Sequence, residues 1–333
     1  GGGFVGRRLA EMLLERGAAK VVSYDIRHAF KSEDDKLVLW DGDLCDAADV
    51  LKACEGVDIV YHVAALVGPY YKKEMYEQVN YHGTLHIIEA CKKHGIQRLV
   101  MCSSPSTRFT GKDILNLSEM DLPQPKKFLE EYAKTKAMGD RACLEACSDE
   151  LMTCAVAPHQ VYGPRDALFL PSFLRAAKSG KLRVMGPGAN LASFTHVDNI
   201  SYAHILAGEM LYKGSPCLGQ FYFITDVGAR PIWSVIDSAV TACGMPSLFN
   251  KFKVPTAVLY AVAHVCVVLN AVFKLRLKLT PFVVTMMTIN RVFNIDKAHK
   301  ELGYNPLVEF EGGWEETVAW FKERPELWEL EKK

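Results

Sequence analysis

Short apolar runs alternate with helix-forming stretches across the first hundred residues, and small or polar residues recur where each run stops. Residues 20–24 run to Asp25, and residues 36–40 run to Asp41, Gly42, Asp43 and Leu44. Residues 58–63 lead into Ala64 and Ala65, and residues 98–102 end at Ser103 and Ser104. Buried strands separated by helices predict an α/β fold with a doubly wound parallel sheet, and such sheets bind ligands at the carboxyl ends of their strands. Asp25, Asp43, Ala64, Ala65 and Ser104 all fall at or just past those ends.

The run Gly1, Gly2, Gly3, Phe4, Val5, Gly6 opens an amphipathic helix that closes at Gly17. Glycines at 3 and 6 suit a turn where backbone approaches a pyrophosphate at a helix N-terminus. Asp25 lies nineteen residues after Gly6, where a dinucleotide fold carries the carboxylate that binds the adenosine ribose. A carboxylate there accepts from a 2′-hydroxyl and repels a 2′-phosphate, so NAD is favoured over NADP, with Arg27 a partial offset. The strand and first glycine that normally precede this turn are absent, as is an initiator Met, so the sequence reads as a Rossmann domain lacking its first strand.

Tyr132 and Lys136 lie four apart, one turn of helix, and so share a face. A phenol with a pKa near 10 is a poor base at neutral pH, and an ammonium beside it favours the phenolate. Alone, such a pair is more often surface decoration. Beside the glycine turn and the serines after residue 102 it points to a general base acting on an alcohol.

With 333 residues, 49% of them hydrophobic, the chain has material for one large or two modest domains. Lys plus Arg number 39 against 39 Asp plus Glu, with no basic stripe, which argues against nucleic acid as a partner. Ten scattered cysteines without a C-x-x-C pair predict reduced thiols serving as core filler, and no metal site. No secretory signal is visible, which means little at a sequence start of this kind.

These stretches, with Val79–Thr84, Pro158–Asp166, Phe194–Asn199, Phe221–Thr225 and Leu302–Val308, resemble the extended short-chain dehydrogenase/reductase family, and within it the 3β-hydroxysteroid dehydrogenase branch. The resemblance covers essentially the whole chain. It implies Tyr132 as base, Lys136 on the nicotinamide ribose, and Ser104 on the substrate oxygen, with Ser103 and Ser106 as neighbours. It implies NAD held by Gly1, Gly3, Phe4, Val5, Gly6, Asp25, Asp43, Leu44, Ala64, Ala65, Lys136 and Pro158, and Asn80 bracing the site through backbone contacts. The implied reaction is NAD-dependent oxidation of the 3β-hydroxyl of a 4α-carboxysterol to the 3-ketone with loss of CO₂. Alternatives are a Δ5-isomerising enzyme on another steroid or lipid alcohol, or a non-catalytic NAD-binding membrane scaffold. Homodimerisation through the helices bearing Asn80 and Tyr132 is also implied. Pro105, Thr107, Arg108, Ala157 and Ser193 depart from the family pattern on the substrate side, and His159 and Arg165 are candidates to contact the carboxylate.

An NAD-binding domain is expected over 1–160, rejoined by residues 191–225, with 161–333 mainly substrate-binding. Ala257–Phe273 is apolar but for His264 and Asn270, about 26 Å as a helix against a hydrocarbon core of about 30 Å. Lys251, Lys253, Lys274, Arg276 and Lys278 flank it. A span, a monotopic insertion over 254–273 and a buried core helix are the three readings, and basic residues on both sides favour insertion at a membrane surface. With the resemblance this implies the cytosolic face of the endoplasmic reticulum membrane, or lipid droplets. Phe282–Ile289 is expected to extend the same surface, and 325–333 to form a charged tail whose Lys332 and Lys333 lie too near its end for a dilysine signal.

Overall fold

The computed structural model describes residues 1–68, 71–273, 277 and 279–329. Helix α1 (Phe4–Glu15) leads into β1 (Val21–Asp25), β2 (Leu37–Asp41), α2 (Ala47–Ala53) and β3 (Val60–His62). Helix α3 (Lys73–Tyr76) passes through a π-helical turn (Glu77–His82) into α4 (Gly83–His94) and then β4 (Arg98–Cys102). A 3₁₀ turn (Pro105–Arg108), β5 (Ile114–Leu117), α5 (Glu131–Glu145) and β6 (Met152–Pro158) follow.

The second half opens with β7 (Val161–Tyr162), α6 (Phe169–Lys178), β8 (Leu191–Ser193) and β9 (Thr195–His196). Next come α7 (Val197–Glu209), β10 (Gln220–Ile224), β11 (Ala229–Pro231), α8 (Ile232–Ala242) and α9 (Thr256–Phe273). The last elements are α10 (Pro281–Thr288), β12 (Arg291–Phe293), α11 (Asp296–Leu302) and α12 (Phe310–Lys322).

Strands β3, β4, β6 and β10 form a parallel sheet in that order, and β1 and β2 a separate parallel pair. Both are all-parallel with helices between consecutive strands such as β3 and β4, as in a doubly wound fold. Val100, Met101, Cys154, Val156 and Phe223 are buried on this sheet because both faces are covered by helices. β10 pairs with β6 from Gln220↔Cys154 to Ile224↔Pro158, which brings the chain back to the sheet late in the sequence. Six of the ten cysteines are buried, as expected of core filler.

A second core joins α6, α8 and α12 around Leu174, Trp233, Ile236 and Phe321. Beside it β11, β8, β12 and β5 make a small mixed sheet from strands of three or four residues. Each is too short to show a period-2 pattern, and sequence reading did not find this sheet.

Helix α9 is half packed. Leu259 and Ala263 are buried against Val284 of α10, while Val258, Val262, Val265, Val268, Val272 and Phe273 are exposed. A buried core helix is therefore the wrong description. Among the described residues no helix is long and apolar enough to cross a membrane. Helix α10 does not extend the exposed surface: Val284, Met286 and Met287 are buried, so it supports α9 instead. Trp328 is buried and donates to the Phe321 carbonyl, so the last turn is anchored rather than a free tail. Lys274, Arg276, Lys278, Lys332 and Lys333 lie outside the described residues.

Candidate functional site

Helix α5 carries Tyr132, Lys136 and Asp140 at successive turns. It packs on the π-helical turn so closely that a Cβ on Gly139 would stand 2.6 Å from the Asn80 carbonyl oxygen. Glycine at 139 therefore sets how near the Tyr132 face comes to the loop after β3. Asn80, buried, uses its amide on that loop: Oδ1 accepts from the Leu66 N–H at 2.8 Å and Nδ2 donates to the Leu66 carbonyl at 3.2 Å. Ala64 and Ala65, half-buried just before Leu66, are held by this clamp. The extra residue of a π-turn re-aims side chains, and such turns are common at functional sites.

Ser103 and Ser104 follow β4 and point to different partners. Ser104 lies near enough to the Tyr132 phenol to lower its pKa, accepts from the Ser106 hydroxyl at 2.9 Å, and caps the 3₁₀ turn. The buried Ser103 donates to Asp140 Oδ2 at 2.5 Å. Burial pushes the Tyr132 phenol well above its usual range, and the neighbouring Ser104 draws it part of the way back. The buried Lys136 donates to the Cys102 carbonyl at 2.6 Å, so here its ammonium is anchored on backbone rather than on the phenol. Burial first, and the Lys136 charge second, push the His62 imidazole down to about 3. His62 is therefore neutral, donating from Nε2 to Thr84 Oγ1 at 3.0 Å, because that hydroxyl already donates to the Asn80 carbonyl.

The glycine turn stands before α1, beside the end of β1. Gly3 caps α1 with no side-chain hydrogen bond and with open space where a Cβ would be. A Cβ on Gly6 would sit 3.0 Å from Gly1. The first turn of α1 thus has no capping side chain and no acidic residue of its own, which leaves its amides open to an anion. Asp25 ends β1 beside them and accepts from the Gly2 amide at 2.9 Å. Asp43 is exposed and accepts from the Cys45 amide, and Leu44 is buried against Gly83. Pro158 closes β6 opposite Ile224. Gly1, Gly3, Phe4, Val5 and Gly6 precede or open α1 beside Asp25 at the end of β1, and Tyr132, Ser104 and Lys136 gather at the end of β4.

Two sequence candidates are otherwise engaged. Arg165 makes a bidentate pair with Glu11 of α1, 2.8 Å from each nitrogen, and His159 is buried between the Ser193 carbonyl and Arg291. Asp140 was missed: a lone carboxylate in a helix reads as solvated, and only its i+4 spacing from Lys136 signals otherwise.

The model of the 3-beta hydroxysteroid dehydrogenase/isomerase family matches residues 1–246. The chain belongs to this family. It is 36% identical over 327 residues to the Homo sapiens sterol-4-alpha-carboxylate 3-dehydrogenase, decarboxylating, covering 97% of this chain and 87% of that protein. It is 33% identical to a 2-alkyl-3-oxoalkanoate reductase of Stenotrophomonas maltophilia, covering 94% and 95%. Among solved structures it is similar to the epimerase Mth375 of Methanothermobacter thermautotrophicus, with TM-score 0.77, 21% identity, and 98% and 91% of the two chains covered. It is also similar to MoeE5 in complex with UDP-glucuronic acid and NAD, with TM-score 0.73, 22% identity and 97% of each chain covered. At these identities the structural likeness establishes the shared fold.

Proposed function

We propose that this chain is an NAD-dependent dehydrogenase that oxidises the 3β-hydroxyl of a 4α-carboxysterol to the ketone with loss of CO₂. The observation that carries the reading is Ser104 set against the Tyr132 phenol, one helical turn from the buried Lys136, in a chain that also carries an uncapped glycine turn. The turn and Asp25 fit NAD: the α1 amides would take its pyrophosphate and the Asp25 carboxylate its adenosine ribose. When bound, NAD supplies the hydride acceptor. Tyr132 Oη then takes the hydroxyl proton while Ser104 Oγ donates to the same oxygen, and Lys136 supplies the positive charge that favours the phenolate. Oxidation puts a carbonyl β to the carboxylate, so CO₂ leaves behind an enolate. Tyr132, now protonated, and Ser104 would both donate to its oxygen.

Both sets of relatives support one chemical element. The names of the sterol enzymes and of the oxoalkanoate reductases each describe a carboxylate on the carbon next to the oxygen-bearing carbon. The exposed valine face of α9 favours the sterol, a substrate that partitions into lipid. NADH formation should be rapid with a 4α-carboxysterol and at least about tenfold slower with the same 3β-alcohol lacking the carboxylate. Equal rates would favour a general 3β-hydroxysteroid dehydrogenase, and activity only on a linear 2-alkyl-3-hydroxy acid would replace the sterol.

A lipid surface is the proposed partner of α9, at a sterol-synthesising membrane. Full-length protein should float with neutral vesicles, and Val265→Asp with Val268→Asp should abolish flotation while leaving the fold intact, since both side chains are exposed. Flotation unchanged in that double variant would remove α9 from the membrane contact.

A further inference from the structure

We propose that Asp140 is a positioning residue of the reaction: its buried carboxylate anchors Ser103, and through it the turn that presents Ser104 to Tyr132, and it is the anionic partner within the site's charge set. This rests on the reading of Tyr132 as the base.

Asp140 is fully buried, and a buried carboxylate is retained only where partners compensate its lost hydration. Its Oδ2 accepts the Ser103 hydroxyl at 2.5 Å, a charge-assisted length, and its Oδ1 has no hydrogen-bond partner among the described residues. Ser103 precedes Ser104 directly and its amide donates to the Val156 carbonyl at 2.8 Å. Side chain and backbone therefore pin the serine turn from two directions. Thr107 completes the frame by donating its hydroxyl to the Ser104 carbonyl at 2.9 Å.

The charged and titratable groups facing Asp140 come from three elements. Helix α5 contributes Tyr132, Lys136 and Cys143, the end of β4 contributes Cys102, and the 3₁₀ turn contributes Arg108. Burial raises the Asp140 carboxyl, against the pull of Lys136, Ser103 and Arg108. Its negative charge in turn raises the Tyr132 phenol. An anion that opposes the base while orienting its hydrogen-bond partner trades proton affinity against geometry.

Asp140→Asn separates the two effects, because an amide oxygen still accepts from Ser103 but the charge is gone. The acid limb of kcat/KM against pH is expected to move to lower pH by about half a unit or more, with NAD affinity unchanged within about threefold. Asp140→Ala, which also frees Ser103, is expected to lower kcat about 100-fold, and Asp140→Glu to restore part of it. Circular dichroism and the melting temperature select the folded variants, and the pH profile of folded Asp140→Asn is the readout that a purely structural carboxylate would not move. An unchanged profile, or one moved to higher pH, overturns the inference. Inactive wild-type enzyme, or full activity in Tyr132→Phe, would instead overturn the reading beneath it.

Discussion

Tyr132→Phe is expected to lower kcat by at least about 10³-fold while NAD affinity stays within about threefold of the parent. The phenyl ring keeps the edge-on contact with Tyr76, whose ring centroid lies 6.3 Å away, so that packing survives. What goes is the one oxygen that both meets Ser104 and lies on the face of Lys136. Burial works against the phenolate at this position, so the charge of Lys136 has to be felt by the phenol during turnover for the base to act. The check is single-turnover NADH formation beside a direct NAD titration. Full activity in the variant would remove the mechanism, and joint loss of NAD binding would assign Tyr132 to cofactor rather than to chemistry.

The second large effect is expected at Asn80. One amide satisfies both the N–H and the C=O of Leu66 and also reaches Thr135 of α5 at 3.3 Å. Asn80→Ala leaves two backbone groups of a partly buried loop unpaired, at a cost of about 2–3 kcal/mol. For a chain of this size that lowers the melting temperature by several degrees. The same loop holds Ala64 and Ala65, so NAD affinity should fall with stability, and Asn80→Asp should recover only the bond from the Leu66 amide. Thermal denaturation with and without NAD separates the two losses: a smaller NAD-induced stabilisation in Asn80→Ala shows that the clamp shapes the cofactor edge. An unchanged increment would confine Asn80 to folding.

The alternation of strands and helices was legible because buried parallel strands leave continuous apolar runs, and β1, β3 and β4 stand where those runs predict them. Tyr132, Lys136 and Ser104 were legible through spacing and position. The division of labour between Ser103 and Ser104 was not, since neighbouring serines differ only in which partner the turn offers each. Arg165 meets Glu11 across 154 residues, a pairing that no local pattern announces. The two faces of α9 were hidden for a similar reason: valines at 258, 262 and 265 and the buried Leu259 and Ala263 have the same polarity, and only the docking of α10 makes them differ. The small sheet of β5, β8, β11 and β12 assembles from segments nearly 180 residues apart, so its pairing is a tertiary fact.

One measurement bears on the whole account: the stoichiometry of NADH, CO₂ and sterol ketone formed from a 4α-carboxysterol labelled in its carboxyl group. The mechanism built on Tyr132, Ser104 and Lys136 predicts the three in equal amounts, with no CO₂ released in the absence of NAD. Labelled CO₂ without NADH, or neither product from active, NAD-binding protein, would contradict it.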